Sequence, residues 1–174
     1  FRPHVGGVLW SRGAMGNGVW GGVRIQDLAR LARPRKEARH VLLTGYDRPT
    51  LPSTPAFVRS IPIEKALEDD TMIALRLNGK PLPRLNGGPA RLVVPGWVAD
   101  DWTKWIASIT FSATPATGFY YEKAYRYPDR PGAPGEAVPA VHMKPMTAMN
   151  VKSVIAAPIA GSVLKAGQRH EVVG

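Results

Sequence analysis

"NGKPLPRLNGGPARLVVPG", residues 78–96, carries prolines at 81, 83, 89 and 95 and glycines at 79, 87, 88 and 96. It follows the apolar run "TMIALRL" (71–77), and Asn78-Gly79 is a hairpin-turn pair. The stretch therefore reads as strand, tight turn and extended chain. Its second half, "RLVVPG" (91–96), reads as a further short strand ended by Pro95 and Gly96. One cation, Arg91, opens that apolar run. Prolines on both sides lower the entropy lost on ordering the segment. The pattern predicts a rigid wall with Arg91 at a strand edge. An arginine so placed can offer its planar fork to phosphate or a small oxyanion, or pair with a structural carboxylate.

The chain has 174 residues, enough for one compact domain, or one domain with part of another. Apolar residues at 44% and charged residues at 21% place it among globular chains. With 17 prolines and 18 glycines, turns and irregular backbone should outweigh long helices. The net charge of +10 suits a surface for nucleic acid or membrane, a pocket for an anion, or plain solubility. The densest cationic stretch, "RLARPRKEARH" (30–40), holds no run of five cations. Zinc-finger spacing and an aromatic RNA-binding strand are both missing, so a nucleic-acid reading has only charge behind it. With no cysteine, disulfides, thiolate metal sites and cysteine nucleophiles are excluded within these residues. No apolar run reaches the ~18 residues of a membrane span. The chain begins at Phe1 without a signal-peptide pattern and ends inside a strand-like pattern, so we expect a piece cut at both ends.

Working outward from 78–96, "VRIQDLARLARP" (23–34) predicts a helix on Ile25, Leu28, Leu31 and Ala32, stopped by Pro34. "HVLLTG" (40–45) predicts a strand buried at Val41 to Leu43. In the loop "YDRPTLPSTPAF" (46–57), Thr54 and Pro55 could cap and start a helix. "PIEKALEDD" (62–70) gives one or two helical turns. "ADDWTKWI" (99–106) predicts a short helix capped by Asp100 or Asp101, with Trp102, Trp105 and Ile106 on one face. "SITFSA" and "GFYYEKAYRY" read as strands, and residues 128–145 as a proline-rich crossing loop. From residue 150 onward, strand, glycine turn and strand alternate as at the start of a β-sandwich. The fold class is thus α+β up to residue 145, followed by the start of an all-β unit over 146–174.

Individual residues are ambiguous when taken alone. Lys104 is off the face of Trp102 and Trp105 and suits a solvated lysine as well as an anion contact. Tyr125, among Tyr120, Tyr121 and Tyr127, suits an aromatic core as well as a donor to an anion. His4, His40, His142 and His170 show no metal-ligand spacing, so no metal ligand is assigned. The pairs Asp69-Asp70 and Asp100-Asp101 read as caps or turns, since adjacent carboxylates rarely converge. No glycine-rich nucleotide loop occurs.

Six segments in order, "GAMGNGVWGGVRIQDLARLA" (13–32), "GYDRP" (45–49), "LNGKPLPRLNGGPARLVVPGW" (77–97), "TKWIASI" (103–109), "EKAYRYPD" (122–129) and "NVKSVIAAPIAGSVLKAG" (150–167), resemble the sulfite oxidase family of molybdenum enzymes. They look most like bacterial sulfite dehydrogenase catalytic subunits. The resemblance implies a molybdopterin-binding domain over residues 1–145, and over 146–174 the start of an immunoglobulin-like dimerisation domain. It implies a molybdenum-molybdopterin cofactor whose metal-ligating cysteine is expected upstream of Phe1. Such an enzyme oxidises sulfite to sulfate and passes electrons to a c-type cytochrome or haem subunit, in the bacterial periplasm and as a possible homodimer. No nucleic acid or membrane span is expected.

Position by position, the resemblance implies catalytic roles for Arg91 and Tyr125. It places Gly16, Asn17, Asp47, Asn86, Arg91 and Lys104 around the cofactor. Asn86 stands where many members have histidine, Val19 where many have arginine, and His4 where bacterial relatives have arginine. The alternatives are a related molybdopterin enzyme acting on another small sulfur oxo-compound, such as a sulfoxide or a bound sulfane sulfur, and a non-catalytic remnant. A cysteine shortly before Phe1 separates the enzyme from the remnant.

Overall fold

The computed structural model describes residues 16–133, 135–151 and 155–174. Two small antiparallel sheets and a hairpin carry the architecture. In the first sheet, β1 (Trp20–Arg24) pairs with β4 (Met72–Leu77). The other edge of β4 takes β5 (Lys80–Pro81) at one end and β6 (Arg91–Val93) at the other. In the second sheet, β2 (His40–Gly45) lies between β3 (Val58–Pro62) and β7 (Ile106–Ser112). β8 (Arg126–Pro128) and β9 (Met143–Pro145) form the hairpin.

Period-two alternation builds the sheets. Val41 and Leu43 turn inward with 0% and 1% exposure. They meet Ile25, Ile61, Ala66, Ile73, Leu92 and Val94 in one core that joins both sheets. The expected turn forms at Asn78-Gly79, both in the left-handed region at φ 51° and 76°, as a two-residue hairpin demands. The helix α1 (Ile25–Ala32) forms where Ile25 and Ala29 bury, and α2 (Ile63–Ala66) supplies a single turn where one or two were expected over 62–70. Leu31, expected on the buried face of α1, is 81% exposed, because six residues at ~100° each set it far round the helix from the buried Ile25 and Ala29.

Other expectations need correction. Thr54 and Pro55 start no helix: the Thr54 N–H closes a turn on the Leu51 carbonyl, and the chain runs into β3. Prolines at 49, 52 and 55 withhold the amide donors a helix would need there. "ADDWTKWI" gives only a 3₁₀ turn at Ala99–Asp101, because Trp105 adopts φ 49° and Ile106 already belongs to β7. Nor is "GFYYEKAYRY" one strand. Phe119–Glu122 form a helical turn, α3, whose Gly118 N–H donates to the Glu122 carboxylate, and strand begins only at Arg126.

The α+β reading of the first part therefore holds, while the expected sandwich does not appear among the described residues. Residues 147–149 are stitched to the first unit: Val98 N–H donates to the Thr147 carbonyl, Met149 N–H to that of Gly96, and Trp97 bridges Ala148. Residues 155–174 show one isolated bridge, Ala157 to Val173, and leave Val163 96% exposed.

Leu92, at 0% exposure, is the β6 residue that ties the Arg91 wall to the core. Leu92→Ala should cost about 2–5 kcal/mol by lost burial and a residual cavity. Urea unfolding followed by tryptophan fluorescence measures it; a cost under about 1 kcal/mol would show that β6 is not seated as described.

Candidate functional site

Arg91 and Leu92 begin β6 because β4 holds them in register, Ala74 opposite Arg91 and Ile73 opposite Leu92. A second seam closes on their other side. Leu92 N–H donates to the Thr103 carbonyl, Trp105 N–H to Gly87 and Ile106 N–H to Ala90. The loop 103–106 is thereby laid along the wall 87–92, and Tyr46 N–H on the Trp105 carbonyl adds the end of β2. Gly87, at φ 102°, is where this approach is tightest. A Cβ there would stand 2.8 Å from Lys104 Cγ and 3.0 Å from Arg91 Cβ.

Between these segments lies a cavity of about 240 Å³, lined among others by Asp47, Arg91, Asp100, Lys104, Trp105 and Tyr125. Arg91 is gripped from all sides. Its Nη1 donates to the Asn86 carbonyl at 2.9 Å and its Nη2 to the Trp102 carbonyl at 3.0 Å. Nε makes only a long contact of 3.4 Å with the Leu92 carbonyl. Trp20 and Trp102 rings cover the guanidinium at 5.2 and 5.7 Å. Burial lowers the pKa of Arg91 from its ordinary value, and the group remains a cation at neutral pH. Lys104 spans the Trp105 ring at 4.1 Å and donates to the Leu85 carbonyl at 3.1 Å.

Among the described residues neither cation has a carboxylate within salt-bridge reach. Arg91 retains one uncommitted hydrogen on each terminal nitrogen, and Lys104 retains two on Nζ. Such a set, fixed and partly desolvated, can receive the oxygens of an anion.

The expected site residues divide clearly. Asp47, Arg91, Lys104 and Tyr125 line the one cavity. Asn86 is exposed and contributes its backbone carbonyl to Arg91. Gly16 and Asn17 are exposed and do not line the cavity. Val19, at the arginine position, is 75% exposed. The expectation for His4 lies outside the described residues. Metal-ligating clusters of three or more His, Asp or Glu side chains are missing among the described residues.

Three features escaped the sequence reading. Trp20 packs on Arg91 and edge-on against Trp102 at 6.1 Å, which no local pattern signals at a separation of 82 positions. Thr103 buries its hydroxyl beside the cavity without a partner. The third is Arg59, 1% exposed in β3, which pairs with Asp100 and Asp101 at 3.0 and 2.7 Å. Those aspartates, expected to cap a helix, instead neutralise a buried cation.

Residues 1–120 match the family model described as the oxidoreductase molybdopterin binding domain. The chain belongs to the sulfite oxidase family of molybdopterin-binding oxidoreductases. It is 35% identical to a sulfite oxidase of Arabidopsis thaliana over 132 residues, 71% of this chain and 34% of that protein. To a nitrate reductase [NADPH] of Fusarium oxysporum it is 32% identical over 117 residues, 66% of this chain and 13% of that protein. Among solved structures it resembles the sulfane dehydrogenase SoxCD from Paracoccus pantotrophus, with TM-score 0.63 and 29% identity over 79% of this chain and 31% of that one. The chain thus spans about a third or less of the length of these relatives.

Membership implies a cofactor of the molybdenum-molybdopterin class. The donors of the cavity fit its anionic portions: two cations without acidic partners among the described residues, aimed by backbone carbonyls and backed by indole rings. The metal itself finds no thiolate within these 174 residues.

The Arg59 cluster makes the site's surroundings sensitive to pH. Two carboxylates face one guanidinium, so one negative charge is in excess. Burial pushes Asp101 up to about 7, with Arg59 opposing and Asp100 assisting; burial raises Asp100 as well. One oxygen, Asp101 Oδ1, takes the Arg59 contacts while Oδ2 is buried without a partner. With its folded pKa above the unfolded value, the native state holds the extra proton between pH ~4 and ~7. The stability tied to that proton is therefore lost as pH rises through ~7, by an amount on the order of a few kcal/mol. Asp101→Asn should flatten this slope. Urea unfolding at pH 5 and pH 8 tests it: the wild type should lose more stability than the variant, and equal losses would place the proton elsewhere.

Proposed function

We propose that the full-length protein is a molybdenum-dependent oxidoreductase that oxidises sulfite to sulfate and passes the electrons to a haem protein. The observation that carries this reading is the convergence of Arg91, Lys104 and Tyr125 on one cavity. When bound, the molybdenum cofactor supplies the two-electron oxidation. The chain's own residues attract and orient. Arg91 offers its free N–H hydrogens to the cofactor or the anion beside it, and Lys104 adds a second positive charge. Tyr125 contributes a neutral O–H donor, which can orient an oxygen without binding product too tightly. Trp102 and Trp105 wall the cavity with apolar rings, and the lower dielectric beside them strengthens each charge–dipole interaction there.

Asp47 at the rim and the Asn86 carbonyl keep the cationic wall in order. Gly16 and Asn17 belong to this reading as contacts for the pterin end. Both are exposed at the start of the described residues. A periplasmic setting, a c-type cytochrome or haem subunit as acceptor, and a homodimer built through an immunoglobulin-like unit from residue 146 onward rest on the family resemblance. The dimerisation unit has one local support: Val163, Leu164 and Val172 are exposed apolar residues without a core of their own. No helix among the described residues is long and apolar enough to cross a membrane.

A second reading, oxidation of a bound sulfane sulfur, is favoured by the structural likeness to the Paracoccus sulfane dehydrogenase. Assay of the full-length protein with sulfite and with a sulfane-sulfur carrier, using an artificial acceptor and molybdenum analysis, separates the two. Turnover of neither by molybdenum-loaded protein would exclude both.

Arg91→Met should lower kcat/KM for sulfite about 10²-fold or more, as loss of an aimed donor does in other oxyanion sites. Steady-state assay alongside metal content checks it. Full efficiency would make Arg91 structural, and loss of molybdenum would move it to the cofactor's anchor.

Tyr125→Phe retains the ring and removes only the O–H donor. It should slow reduction of the metal by sulfite roughly 10-fold or more while keeping fold and metal content. Rapid-mixing spectroscopy isolates that step, with Tyr120→Phe and Tyr127→Phe as controls. A wild-type reduction rate and sulfite affinity would remove Tyr125 from the site.

A further inference from the structure

Tyr125 faces the cavity in a conformation that its own backbone disfavours. Its φ is 48°, in the left-handed region that a bulky residue adopts only when its surroundings hold it there. Those surroundings converge on Arg59. The Arg59 Nη1 donates to the Tyr120 carbonyl at 2.7 Å, five residues before Tyr125. Its Nη2 donates to the Met146 carbonyl at 3.1 Å, and the Met146 N–H donates at 2.8 Å to the carbonyl of Tyr125 itself. The guanidinium carbon also lies 6.0 Å from the centre of the Tyr125 ring. On its other edge, Nε donates to Asp101 Oδ1 at 2.8 Å and so grips the 3₁₀ turn whose Asp100 lines the same cavity.

We propose that Arg59 is the positioning residue for Tyr125: its fork fixes the backbone on both sides of the strained tyrosine and so sets where the phenol stands in the cavity. The proposal rests on the reading of Tyr125 as a donor to the anion. An ordinary core residue could fill the same volume. Only a planar group with donors on both edges can hold two carbonyls from distant segments while meeting a carboxylate. A lysine would retain the positive charge opposite Asp100 and Asp101 but, as a point donor, could not span all three partners.

Arg59→Lys in the full-length protein therefore separates charge from fork. Amide hydrogen exchange of the cofactor-free protein should show Glu122, Lys123 and Met146 exchanging about 10-fold faster or more than in wild type, with Leu43 and Ile61 unchanged. In the molybdenum-loaded protein, KM for sulfite should rise several-fold. Tyr125→Phe should also lose most of its effect in the Arg59→Lys background, because a displaced phenol has little left to lose. Unchanged exchange at these amides overturns the proposal. So does a Tyr125→Phe effect of equal size in both backgrounds, since Arg59 would then be structural only. If Tyr125→Phe is kinetically silent with Arg59 intact, the reading of Tyr125 fails, and exchange alone decides whether Arg59 holds the segment. Should Arg59→Lys not fold, the wild-type exchange pattern decides: Glu122, Lys123 and Met146 should be protected like the amides of β3, and ready exchange there overturns the clamp.

Discussion

A guanidinium with 1% exposure cannot sit in a protein without counter-charge and filled hydrogen bonds, and the arrangement around Arg59 follows from that demand. It draws in two aspartates from one turn, a carbonyl from α3 and a carbonyl from beyond β9. None of these partners is near in sequence: the bonds to Asp101, Tyr120 and Met146 span 42, 61 and 87 positions. Removing one member would strand the others in low dielectric, so segments distant in sequence are obliged to move together. The excess carboxylate of the cluster also carries its own consequence, a proton retained near neutrality by Asp101.

Arg91 shows the opposite use of the same side chain. It too is desolvated and gripped by carbonyls, but no acid neutralises it among the described residues. Indole faces supply partial compensation through their negative quadrupoles. The difference is one of charge balance. Where a buried arginine is closed by carboxylates, it organises chain; where it is left open beside a cavity, the missing counter-charge is available to a ligand.

Much of the first unit was legible in local pattern. The apolar run in "HVLLTG", the Asn-Gly turn and the strand before Pro95 each depend on neighbours in sequence, and each formed, though Leu42, expected to be buried with Val41 and Leu43, is only half-buried. The misses share a cause. The helix expected over 99–106 failed because Asp100 and Asp101 are drawn to Arg59, about 42 positions away, while Trp105 turns left-handed into β7. "GFYYEKAYRY" failed as a strand because Gly118 and Glu122 close a helical turn and Tyr125 turns left-handed. Of the residues the resemblance implies for a site, Arg91, Lys104, Asp47 and Tyr125 line one cavity. Composition and periodicity alone left each of them ambiguous. Trp20 and Arg59 carry no local signal, since an isolated indole or a strand arginine reads the same whether buried or exposed.

The cavity's readiness depends on where backbone strain has been placed. Four non-glycine residues adopt left-handed φ among the described residues: Arg33, Asn78, Trp105 and Tyr125. The first ends a helix and the second makes a hairpin turn, both ordinary uses of that conformation. The other two line the cavity. A tryptophan and a tyrosine each cost roughly 1–3 kcal/mol there, a cost met only by a network that leaves no alternative. For Trp105 the network is visible: its N–H on Gly87, its carbonyl on Tyr46 and its indole N–H on Arg84 at 2.8 Å. Arg84 and Gly87 belong to the proline- and glycine-rich wall of residues 78–96. The rigidity of that wall is therefore what holds Trp105, and with it Lys104 on the indole face, in place.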